Sequence, residues 1–88
     1  MNISNLDKAI IVLKALKEDV EVEISGRIFV WVSGKDRYTS GVCIKEEDGK
    51  VYGIGLMSMN AFIRKCGELS EEYIDNLNDE ITKRMLAK

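Results

Sequence analysis

Histidine and proline are absent from these 88 residues, and cysteine occurs only twice. Without histidine, the commonest general base and transition-metal ligand near neutral pH is missing. Cys43 and Cys66 can form at most one disulfide, whereas a secreted domain this small usually carries two or more. With no Cys-x-x-Cys pair beside them, both are read as reduced packing residues, and no metal or other cofactor is expected. Long apolar runs are also lacking. Ala9 to Leu13 and Ile28 to Val32 are the longest, five residues each, against the ~20 that cross a bilayer and the roughly 7–15 of a signal-peptide core. The chain is therefore expected to be cytoplasmic, without membrane association. Neither charge sign dominates: 13 Lys and Arg against 15 Asp and Glu leave −2, so no whole-molecule field draws in nucleic acid. A Gly-x-Ser-x-Gly elbow, a phosphate-binding Gly-x-x-x-x-Gly-Lys and a Gly-x-Gly-x-x-Gly turn are all missing, and the chain is not expected to be an enzyme.

The residues present describe one α+β domain spanning 1–88, since chains divide into separate cores only at several times this length. Ser4 can cap a helix from about Asn5 to about Glu18, with Asp7 three residues on and Leu6, Ala9, Ile10, Leu13 and Leu16 at helical spacing. Ile11 and Val12 widen its apolar stripe, so this helix should touch both a sheet and another helix. The period then changes to two, in Val20–Ile24, Arg27–Val32, Thr39–Lys45 and Val51–Met57. The gaps are too short for crossover helices, which predicts a four-stranded antiparallel meander. Two helices close the chain. Ser58 caps one that carries Met59, Phe62, Ile63 and Cys66 and stops at Gly67; Ser70 caps another whose Ile74, Leu77, Ile81 and Met85 form one stripe.

Register decides which strand residues share a face, because a shift of one residue turns a whole strand over. A three-residue loop at Ile24-Ser25-Gly26 pairs Val22 with Ile28. A tighter Ser25-Gly26 turn would place Glu23 opposite Ile28 and mix charge into the aliphatic face, so the first is preferred. A similar loop at Glu47-Asp48-Gly49 pairs Ile44 with Tyr52 and Val42 with Ile54, and Val30 then pairs with Val42. The expected core face is Val20, Val22, Ile28, Val30, Val32, Val42, Ile44, Ile54 and Leu56, with Val30, Val42 and Ile54 beneath helix 1 and in reach of Leu13.

On this register Phe29 and Trp31 stand on the opposite face over small residues, beside Arg27. They would cover strand glycines, lie beneath the last helix folded over this face, or form a contact site for a partner. Two aromatics with Arg27 and Lys45 also resemble a stacking platform for single-stranded nucleic acid or a small ligand. Residues 23 to 57, however, hold five basic and five acidic side chains, without the basic excess that phosphate binding needs. Gly67 to Glu80 holds six acidic residues and no basic one. Glu71, Asp75 and Asp79 recur there every four residues, as favourable charges on a solvated helix or as an acidic stripe for a basic partner surface. The candidate contact residues are thus Arg27, Phe29, Trp31, Glu71, Asp75 and Asp79. The expected partner is a protein rather than nucleic acid, and a homodimer is compatible with the sequence.

The order helix, sheet, two helices, with the acidic segment GELSEEYIDNLNDEI near the end, resembles small phage-encoded proteins, including some anti-CRISPR inhibitors. That resemblance implies a stoichiometric inhibitor that binds a host defence protein in the host cytoplasm, and it carries over no individual residue.

Overall fold

The computed structural model describes residues 3–36, 40–45, 51–53 and 58–87, the last strand by its backbone only. Three serines begin its three helices. The backbone N–H groups of Asp7, Ala61 and Tyr73 donate to Ser4, Ser58 and Ser70 Oγ, each at 3.1 Å, satisfying donors that a helix start leaves unpaired. The helices are α1 (Asn5–Lys17), α2 (Met59–Cys66) and α3 (Glu71–Leu86). Between α1 and α2 run β1 (Val22–Ile24), β2 (Arg27–Val32), β3 (Gly41–Lys45) and a short β4 (Val51–Gly53), each antiparallel to the next. The fold is α+β.

Helix α1 is central: it lies against β1 and β2, and both α2 and α3 pack on it. Ala9, Val12, Ala15 and Leu16 are its buried residues. Leu6 and Ile10, expected in the core, are 55% and 44% exposed. Two long cations tie the helices together. Lys8 Nζ donates to the carbonyls of Gly67 (3.3 Å) and Leu69 (2.6 Å) at the end of α2, and Arg84 Nη1 donates to Glu18 O (3.1 Å) at the end of α1. Carbonyls at helix ends lack intrahelical partners and sit at the negative end of the dipole, which favours these contacts.

Several boundaries differ from the expected ones. Strand β1 starts at Val22 rather than Val20 because Asp19 takes the left-handed conformation (φ 63°). Asp19 N then bonds to Leu16 O (3.1 Å) and Val20 N to Ala15 O (3.0 Å). This is a Schellman termination with aspartate in the usual glycine position, and it makes Val20 part of the helix end. Gly67 is right-handed (φ −62°), so it does not stop α2 by a positive φ. A Cβ there would approach the Asn5 side chain to 2.5 Å, and glycine permits that close approach of α1. The α3 stripe ends at Ile81, leaving Met85 exposed, and Met59 of α2 is exposed too. Strand β3 starts at Gly41, whereas residues 37–39, and Ile54 to Met57 of the expected fourth strand, lie outside the described residues.

The main correction is register. Val22 pairs with Phe29, Glu23 with Ile28 and Ile24 with Arg27; Phe29 pairs with Ile44, Val30 with Cys43 and Trp31 with Val42. Ile44 opposite Tyr52 is observed in β3 and β4. Relative to the expected sheet, β2 alone is turned over. Its hairpin is the tight two-residue turn, with positive φ at both Ser25 (53°) and Gly26 (79°), the geometry whose twist matches paired strands. Left-handed backbone at Ser25 costs ~1–2 kcal/mol, partly offset where Ser25 Oγ donates to Glu68 Oε2. A fully buried aromatic ring removes roughly 150–250 Å² from water, about 4–6 kcal/mol at ~25 cal/mol per Å², against ~1.5–3 kcal/mol for an aliphatic side chain. Three aliphatic side chains together match one full and one half-buried ring less the turn strain, so transfer energy alone does not separate the two faces; the structure places Phe29 in the core with Trp31 packed against it.

Candidate functional site

Turning β2 over changes what each face offers. Phe29 is 2% exposed and belongs to the core with Val22, Ile24, Ile44 and the helix residues. Trp31 is half-buried against the same core. Its indole donates from Nε1 to Ser33 Oγ (3.1 Å), and Lys17 Nζ sits 5.0 Å from the ring centroid, a cation–π contact that keeps the lysine stem over the ring. The expected platform of two adjacent exposed aromatics is therefore not formed: Phe29 lies beneath α1, and Lys17 covers the ring of Trp31.

Arg27 is exposed at the start of β2, beside a cavity of about 290 Å³ lined by Ile24, Ser25, Arg27, Phe29, Ile44 and Lys65. The three acidic candidates on α3 are not equivalent. Glu71 is half-buried, and its Oε1 accepts the backbone N–H of Ile3 (2.9 Å), fastening the segment ahead of α1. Asp75 and Asp79 are exposed, on a helix whose buried residues are Ile74, Leu77 and Ile81. The stripe is thus reduced to two carboxylates open to solvent.

The site that the sequence reading missed is the other side of the sheet. Ile28, Val30 and Val32 of β2 alternate with the buried Phe29, so they project away from α1, and Val30 pairs with Cys43 of β3. All four are only half-buried. No described helix packs on this side, because α1 takes the opposite face and α2 and α3 stack on α1. A Cβ at Gly41, which pairs with Val32, would meet no described atom within 4 Å, so among the described residues this end of the face is open. The pattern is an apolar centre along β2 with charge on both flanks. Glu23, Ile28 and Lys45 stand in one row across three strands. Lys45 Nζ reaches back over β2 to Glu21 Oε2 (3.0 Å), and both side chains remain about half exposed. An exposed pair of this kind contributes ~0–1 kcal/mol, so it crosses the face without sealing it. The one available signal was Ser25-Gly26 itself, since a two-residue hairpin favours a glycine and a left-handed backbone at both turn positions.

The two thiols also separate. Cys43 is half-buried on the face away from α1; Cys66 is fully buried, and burial pushes its thiol up to about 12. Burial disfavours the thiolate, so Cys66 stays protonated and unreactive at neutral pH. No helix among the described residues is long and apolar enough to cross a membrane. Comparison with protein-family models, with characterised proteins and with solved structures finds no match for this chain.

Proposed function

We propose that this chain acts without catalysis, as a small binding protein that meets a protein partner through the open face of its sheet. The observation that carries the reading is the row Ile28, Val30 and Val32, half-buried with Cys43 on a face that no described helix covers. On a small domain, a contiguous apolar face framed by charges is the composition of a contact site: apolar at the centre, polar at the rim. Within this reading, the likeness to small phage-encoded inhibitors gives the action its form, a stoichiometric block of a host defence protein. Asp75 and Asp79 on α3 would then steer approach toward a basic surface rather than anchor it.

The test compares wild-type protein, Val30→Lys and the double variant Asp75→Asn/Asp79→Asn as baits in host lysate, with the retained proteins identified by mass spectrometry. Val30→Lys should lose a stoichiometrically retained protein while keeping a native circular dichroism spectrum, and the double variant should retain it. Equal retention by Val30→Lys would refute the assignment of the contact to this face.

A further inference from the structure

We infer that the partner of the open sheet face is the same face of a second copy of this chain, so that two sheets close into a symmetric β-sandwich. The inference rests on the proposed reading of that face as a protein contact and identifies what occupies it. The charge pattern is the argument. In the row Glu23, Ile28, Lys45, acid lies on the β1 side of β2 and base on the β3 side; within one chain Lys45 pairs with Glu21 (3.0 Å), an exposed pair weak enough to be exchanged for the partner's Glu23 on association. A two-fold axis running along β2 above the face exchanges the β1 and β3 sides. Glu23 then stands over Lys45 of the partner subunit, and Lys45 over the partner subunit's Glu23. The same operation lays Ile28, Val30 and Val32 against their own copies, apolar on apolar, as an isologous interface requires. Face-to-face packing of two antiparallel sheets is an ordinary architecture, and a net charge of −2 per chain gives little repulsion between copies.

The size of the face sets the strength. With the axis along β2 only β1, β2 and β3 overlie their copies, and three strands at ~4.8 Å spacing by about five residues at ~3.3 Å give a patch roughly 14 Å by 17 Å, under a third of the ~800 Å² per partner of a standard stable interface. The dimer is accordingly weak and forms at high local concentration. Cys43 provides a built-in reporter. It neighbours Val30 on β3, which puts the two copies of Cys43 on the order of 10 Å apart across the axis, while the buried Cys66 does not compete for a thiol reagent.

Sedimentation velocity from low to high micromolar concentration should show the mass rising from 9.9 kDa toward twice that value. A bismaleimide of matching span should link two chains through Cys43, and Cys43→Ser should abolish the product. Val30→Lys should weaken association at least tenfold and suppress the crosslink. Glu23→Lys and Lys45→Glu, both exposed and outside the core, should each weaken self-association several-fold. Mixed together, those two variants should associate at least tenfold better than either alone, since every facing pair is then of opposite sign.

A wild type that stays monomeric throughout, a crosslink indifferent to Val30→Lys, or a mixture no better than its components overturns the inference. A monomer whose lysate partner is still lost with Val30→Lys overturns the second copy but leaves the contact face standing. A monomer whose lysate capture ignores Val30 overturns both.

Discussion

Phe29 and Val30 are neighbours on β2 and point to opposite sides of the sheet, so substituting each in turn tests which face lies under α1. Phe29 is 2% exposed, flanked in register by the buried Val22 and Ile44. Truncating a ring so placed removes its transfer free energy and leaves a cavity, and Phe29→Ala should cost ~3–5 kcal/mol. A domain of 88 residues has a total stability of ~4–13 kcal/mol, so the variant is close to the folding threshold. At ~4–8 °C per kcal/mol its melting temperature should fall by at least ~12 °C. Phe29→Leu, which keeps most of the volume, should cost less than ~1.5 kcal/mol and serves as the folded member of the series. Val30 is half-buried, on the side away from α1. Val30→Asp therefore meets water rather than the core and should cost about 1 kcal/mol, mainly in strand preference. Beneath α1 the same aspartate would be an unpaired buried charge, and the domain would not fold. Urea melts followed by circular dichroism and by fluorescence of Trp31, the only tryptophan, measure all three variants. An unfolded Val30→Asp beside a Phe29→Ala within 1 kcal/mol of wild type would show the register to be the reverse of the one described.

Lys8→Met removes the ammonium that caps the Gly67 and Leu69 carbonyls; charge-assisted bonds of this kind are worth ~1.5–3 kcal/mol, and a urea melt should register a loss in that range. Asp19→Gly relieves the left-handed strain at the end of α1 (φ 63°) and should raise stability by ~0.5–1 kcal/mol after the added freedom of the unfolded chain is subtracted. Tyr73→Phe deletes the hydroxyl that accepts the Glu23 backbone N–H (3.1 Å), costing ~0.5–1.5 kcal/mol, with faster hydrogen exchange at the Glu23 amide as its specific signature. A disulfide exchange reagent should titrate one fast thiol in the native protein, Cys43, and two in urea. Because the folded Cys66 thiol is raised to about 12, the native state holds a proton that the unfolded chain releases above its own value of 9.0. The associated stability is fully present below that value and declines as pH rises from there toward the folded value, at up to ~1.4 kcal/mol per pH unit. A smaller slope in Cys66→Val checks the sign.

Local chemistry was readable from the chain. Ser4, Ser58 and Ser70 mark helix starts because a serine hydroxyl satisfies its own helix's first donors, whatever the helix packs against. Strand periodicity in Val22–Ile24 and Gly41–Lys45 was visible for the same reason: alternation is a property of the strand itself. Even the end of α1 is local, although aspartate stands where glycine normally signals it. The facing of β2 was different in kind. Arg27–Val32 is apolar at five successive positions, so alternation within the strand cannot say which of its two apolar rows belongs inside. That choice falls to tertiary packing, which puts Phe29 in the core with Trp31 packed against it and leaves Ile28, Val30 and Val32 on the other side. The tight Ser25-Gly26 turn follows from it, as does the open aliphatic face on the other side. The candidate site is therefore a product of the whole fold: it consists of the residues left outside once the helices had taken the aromatic row.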